Sequence, residues 1–278
     1  MTTRKIQQII QGRPASDGAG VKLIRSLGSA DHLRLDPFLM LDAFSSENPD
    51  DYVAGFPSHP HRGFETVTYL LDGHMLHEDH LGNKGNLKSG AVQWMTAGRG
   101  IIHSEMPQQE NGRMRGFQLW INLPAKEKMK PAGYRDIQPE EIPTVLLSAG
   151  KMKIVAGKYE STDGPIQGGS RDPVYWDIEL KPGAQFESKL PASHSVYVYP
   201  FEGSVEIADR VLHTHQGGAL GAGDAVEVKA GADGARFLVL AAKPIREPVV
   251  QYGPFVMNTR AEIEQALRDY QNGKLTEV

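Results

Sequence analysis

ETVTYLLDG (residues 65–73), GAVQWMTAG (90–98) and GFQLWINLP (116–124) share one pattern: a short run of β-branched and aromatic residues bounded by Gly, Pro or Asp. Such side chains fit a pleated surface, and such punctuation marks turns, so each run reads as a strand. The pattern returns at HSVYVYPFEG (194–203), GDAVEVKAG (223–231) and ARFLVLAAKP (235–244). Many short strands with frequent turn signals imply an all-β protein built as sandwiches or barrels. A strand ending in a turn at Tyr69–Gly73 has a counterpart at Tyr199–Gly203, and the strand-opening Gly90 has one at Gly223. We read two related barrels, residues 1–130 and 131–278, joined through a region around 125–175 that holds the Gly-rich STDGPIQGGSRDP (161–173).

Helix signals are few. Thr259 and Glu262 form a capping-box pattern ahead of Ile263, Ala266, Leu267 and Tyr270, which recur at helical spacing, and Gly273 follows as a stop. This predicts one C-terminal helix lying with its apolar face on a barrel. A single further turn is expected at Pro139–Ile142.

Composition narrows the function classes. The 278 residues contain no cysteine, which removes disulfides, thiolate metal sites and cysteine nucleophiles. A net charge of −4, with Lys and Arg scattered, gives no electrostatic footprint for direct nucleic-acid binding. No apolar run approaches the ~18 residues of a membrane span. MTTRKIQQII, at the start, does not read as a secretory signal, so a cytoplasmic location is expected.

Two segments carry chemistry. SHPHRGFETV (58–67) sets His59 and His61 two residues apart, and GRGIIHSEMP (98–107) does the same for His103 and Glu105. On a strand, residues i and i+2 share a face, so each pair can aim at one point. Neighbouring strands would then bring together three imidazoles and a carboxylate, a donor set for a divalent first-row metal. Glu65, four residues after His61, competes for the carboxylate role unless Gly63 marks a bulge that turns it away. With ten histidines a His-x-His pair also arises by chance; His213 and His215, beside two glycines, read as a solvated turn. His77 and Asp79 also share a spacing of two and read as a structural hydrogen-bonding pair. His32, His74 and His80 read as ordinary surface or core residues.

HPHRGFETVTYLLDG (59–73), WMTAGRGIIHSEMP (94–107), RGFQLWINLP (115–124) and YGPFVMNT (252–259) together resemble the pirin family of the cupin superfamily over nearly the whole chain. The resemblance implies a bicupin: two facing antiparallel β-barrels (double-stranded β-helices) with one mononuclear metal in the N-terminal barrel. It assigns the ligands to His59, His61, His103 and Glu105, and so favours Glu105 over Glu65. The second half offers only His194 where the first has paired histidines, so a structural barrel without metal is implied there.

Ligand type points to Fe(II), while Mn, Co, Ni, Cu and Zn also accept imidazole and carboxylate. Four protein ligands in an octahedral frame leave up to two positions for substrate and dioxygen. Similarity to pirins assigned as quercetin 2,3-dioxygenases implies flavonol ring opening by dioxygen with release of carbon monoxide. Glu105 is the expected general base for the flavonol hydroxyl, and Phe56, Phe64 and Met106 are candidate pocket walls or plain core. The competing class is an iron-dependent redox-sensing protein that acts on a protein partner without turnover. A cupin isomerase would need a phosphate-gripping cation set; Arg62 and Arg99 flank the motif but read as structural ion-pair partners.

Overall fold

The computed structural model describes residues 1–109 and 111–277. ETVTYLLD (65–72) lies in the strand Phe64–Asp72, which runs antiparallel between Val92–Thr96 and Met114–Asn122. Seven consecutive residues of that strand are buried, because both of its faces are covered. Phe38–Ser46, Val21–Arg25 and Arg13–Asp17 extend the sheet on one side and Gly133–Ile137 on the other, giving seven strands. A second, four-stranded sheet has the order Phe56–His61, Ile101–Pro107, His74–Asp79, Lys84–Lys88. The expected barrel is thus a two-sheet jelly roll whose hydrogen-bond ladders stay open rather than closing into a ring.

A further sheet has nine strands, centred on Ser195–Ile207, Ala225–Ala242 and Val174–Leu180. Its core is apolar, with Trp176, Ile178, Val196, Val198, Phe237 and Val239 all buried. Ile6–Gln11, from the start of the chain, pairs with Gln216–Leu220 in this sheet.

Chain contacts divide the molecule into one unit of residues 14–25, 38–139 and 245–278 and another of 1–13, 26–37 and 140–244. The contiguous halves 1–130 and 131–278 do not map onto these units. The first strand is taken up by the sheet of the later unit, and the C-terminal segment by the earlier one. Pairing of strands some 200 residues apart leaves no local mark in composition or periodicity, so the sequence alone points to contiguous halves.

The C-terminal helix, Arg260–Gln271, starts at the expected capping box: Thr259 Oγ1 accepts from the Glu262 N–H and Glu262 Oε2 from the Thr259 N–H. Ile263 and Ala266 are buried against Phe255, Met257 and Leu275, and Gly273 has φ +71 just past the end. Pro139–Glu141 forms the expected single turn, of 3-10 type. Ala125–Lys128 adds a helical turn that the sequence did not announce. No helix among the described residues is long and apolar enough to cross a membrane.

Candidate metal centre

The four-stranded sheet places the histidines by register. His103 in Ile101–Pro107 lies directly opposite His59, and Ile101 opposite His61, so the two HxH and HxE strands are neighbours as their spacing required. The register slips between His103 and Glu105, so that Glu105 faces Phe56 rather than the intervening residues. At Gly63 the chain turns with φ +93 and enters the seven-stranded sheet at Phe64. Any Cβ there would collide with the Val256 carbonyl, so only glycine fits this corner. Lys128, itself buried, holds the corner by donating to the carbonyls of Gly63 (2.7 Å) and Val256 (2.9 Å) and to Asn122 Oδ1 (2.6 Å).

One ligand atom from each of His59, His61 and His103 falls within 4.8 Å of the others. His59 Nε2 and His61 Nε2 are 3.0 Å apart, while His59 Nδ1 lies 2.8 Å from the Pro57 carbonyl. His103 Nε2 is buried and has no hydrogen-bond partner among the described residues. Leaving a buried nitrogen unpaired is costly unless something else takes its lone pair. Three converging imidazoles with such an orphan suit a divalent transition metal. Burial pushes the His61 and His103 rings well below the ordinary histidine pKa, and the neighbouring histidines add to this. Both rings are therefore neutral near pH 7, the form that ligates metal.

Glu105 is buried in the same strand as His103, and its two oxygens accept from Thr68 Oγ1 and Gln118 Nε2, each at 2.9 Å. The compact group is formed by the three histidines, and Glu105 is not one of its members. Glu65 belongs to the other sheet, beyond the Gly63 corner, where it accepts from Trp94 Nε1 (3.0 Å), Thr96 Oγ1 (2.8 Å) and Lys130 Nζ (3.2 Å).

His59 and His61 open into a cavity of about 560 Å³ that also takes in Met40, Phe56, Pro57, Gln118 and Trp120. That size suits a drug-sized molecule. Trp120 lies edge-on to His61, with ring centroids 5.2 Å apart, and Phe64 does so at 5.0 Å. Phe56 thus lines the cavity, Phe64 supports a histidine, and Met106 sits on the strand face opposite His103 and Glu105. Arg25, on the cavity wall, is tied to Asp42 at 2.6 Å and Asp17 at 2.7 Å. Gln118 and Trp120 were missed in the sequence, although their i, i+2 spacing in RGFQLWINLP put them on one face.

The remaining sequence candidates lie away from the cavity. Arg62 pairs with Asp269 at 2.6 Å, the structural ion pair expected of it, whereas Arg99 contributes its backbone to Lys130 and to Arg62. His215 sits in a turn with φ +66 and bonds Tyr199 through Nδ1 at 2.9 Å. His77 and Asp79 approach to 3.7 Å, and His77 Nδ1 lies 3.3 Å from His103 Nδ1.

Residues 20–121 match the pirin family model and residues 175–276 that of the pirin C-terminal cupin domain. A Pseudomonas aeruginosa protein, named provisionally as a quercetin 2,3-dioxygenase, is 54 % identical over 98 % of both chains. The chain belongs to the pirin family. Human pirin is 40 % identical over 98 % of this chain and 94 % of its own length. The crystal structure of quercetin 2,3-dioxygenase from Acinetobacter baumannii superimposes with a TM-score of 0.91, at 35 % identity and 98 % coverage of each chain. The chain thus holds two cupin domains.

Proposed function

We propose that this pirin is a metal-dependent dioxygenase of the quercetin 2,3-dioxygenase type, with His59, His61, His103 and Glu105 holding one divalent ion. Iron(II) is the first candidate, and Mn, Co, Ni, Cu and Zn suit the same donors. The observation that carries the reading is that two of three converging imidazoles open into a cavity of about 560 Å³. Similarity to the Pseudomonas and Acinetobacter proteins supports the choice of reaction.

The ion would supply Lewis acidity and a redox-active centre for dioxygen. This chain's residues supply the rest. Met40, Phe56, Pro57 and Trp120 offer a largely apolar slot for a flat polyphenol and keep water off its ring. Gln118, which lines the cavity, also donates to Glu105 and so holds the carboxylate in place behind the wall. Glu105 is the proposed acceptor of the flavonol 3-hydroxyl proton, and Thr68 steadies its other oxygen.

The test is anaerobic loading with ferrous iron, then quercetin under air, following loss of its near-visible absorbance and release of carbon monoxide. His61→Ala and Glu105→Ala run in parallel. Iron-dependent turnover that both variants abolish supports the reading. Tight iron binding with no turnover would replace it with a redox-sensing protein that acts through a partner.

A further inference from the structure

The three histidines of the metal group differ in what stands behind them. His59 Nδ1 faces the Pro57 carbonyl, a fixed acceptor, whereas His61 Nδ1 is buried with no hydrogen-bond partner among the described residues. Behind His103 the partner is another side chain. Its Nδ1 lies 3.3 Å from Nδ1 of His77, a fully buried residue on the neighbouring strand. His77 sits in register with Glu105 on one side and Gly85 on the other. A Cβ at Gly85 would strike the Tyr134 hydroxyl, so the glycine leaves room for the Tyr134 ring to stack on His77 at 4.7 Å and 21°. On its far side His77 Nε2 lies 3.7 Å from Asp79 Oδ2. Asp79 is in turn immobilised by the N–H groups of Leu81 (2.9 Å) and Asn83 (3.1 Å) and the Asn83 amide (2.8 Å).

The geometry points to His77 as a positioning residue that sets the tautomer and aim of the metal ligand His103. The nitrogen of His103 left for an ion is Nε2, which is buried and otherwise unpartnered among the described residues. A neutral imidazole that gives its Nε2 lone pair carries its proton on Nδ1, and that N–H then donates to His77 Nδ1. His77 accepts there only as its Nε2–H tautomer, and its Nε2 lies 3.7 Å from Asp79 Oδ2, beyond direct hydrogen-bond reach. The pair read from sequence as a hydrogen-bonding one is thus not directly bonded; His77 stands against His103, and Asp79 lies beyond it as a nearby carboxylate. Ligands behind which such a partner is removed lose ~10- to 100-fold in metal affinity.

The inference rests on the three-histidine site but not on the reaction assigned to it, so its readouts are binding and spectroscopy. In 15N-histidine protein loaded with zinc(II), long-range 1H–15N correlation reads the tautomers of unaltered protein. Expected are a protonated Nδ1 on His103 and a bare Nδ1 with a protonated Nε2 on His77. Zinc and cobalt affinities by chelator competition give the second readout. His77→Leu, which offers no acceptor, should bind ~10- to 100-fold more weakly. His77→Asn can place Oδ1 where Nδ1 stood, and should recover most of that loss. Unfolding midpoints of the metal-free variants separate lost packing from lost positioning. A protonated Nδ1 on His77, wild-type affinity in His77→Leu, or equal weakness of the Asn and Leu variants at equal stability would each overturn the assignment. Wild-type protein that binds neither ion would overturn it together with the metal site itself, whereas binding without flavonol turnover leaves it standing.

Discussion

At Gly63 the chain leaves the strand that carries His59 and His61 and enters the opposite sheet, with φ +93 and the Val256 carbonyl against the missing Cβ. Gly63→Ala combines left-handed strain of ~1–3 kcal/mol with a backbone clash. It should lower stability by at least about 2 kcal/mol in urea titration and reduce the metal bound per chain. Lys128→Met leaves three oxygens without their buried donor and should cost about 3 kcal/mol by the same measurement. A smaller loss than about 1 kcal/mol would mean that water replaces the ammonium. The spacing of His59, His61, His103 and Glu105 was legible because the i, i+2 rule needs only the strand itself. Whether Glu65 joined them was not, since that depends on one dihedral at Gly63 and on where the chain goes next. Lys128 gave no signal, as a lysine beside Lys126 and Lys130 reads as a solvated charge until its acceptors arrive from distant strands.

Among the elements, the C-terminal helix shows how far a local pattern reaches. Its cap and apolar stripe specify where it starts and which face is buried, and both agree with the structure. Its target is set by a pair 207 residues apart in sequence, Arg62 and Asp269 at 2.6 Å, which periodicity does not reveal. Partial burial of Asp269 would by itself raise its pKa, but the Arg62 guanidinium and the Gln265 amide outweigh that and lower it. A carboxylate whose native pKa is depressed stabilises the fold above its unfolded value, ~3.9, and the contribution is lost as pH falls through the native value. Asp269→Asn should therefore cost ~1.5–3 kcal/mol at pH 7, because a charged partner of the buried Arg62 is gone. The gap between wild type and variant should narrow as acid protonates the wild-type carboxylate. Urea titrations at pH 7 and at pH 3 check both statements, and a gap that widens at pH 3 would contradict the direction of the shift.

For the whole molecule, two cupin units with separate cores imply that metal loading is felt unequally. The three histidines belong to the unit that also holds Trp94 and Trp120, while Trp176 lies in the core of the other. An ion that binds the native site at 1,000 times its dissociation constant adds ~4 kcal/mol to the stability of what it binds. Hydrogen exchange should accordingly slow in Phe56–His61, His74–Asp79 and Ile101–Pro107 on addition of zinc(II). Val174–Leu180 and Ala225–Ala242 should exchange at unchanged rates. Trp120 supplies an independent optical reading, because its ring is 5.2 Å from that of His61. Nickel or cobalt should quench wild-type fluorescence, and Trp120→Phe should remove most of that quenching while still binding metal. Uniform protection across both units would mean that they unfold as one body, and the energetic independence argued from their cores would fall. Quenching that survives Trp120→Phe would instead place the ion elsewhere, and so strike at the histidine site directly.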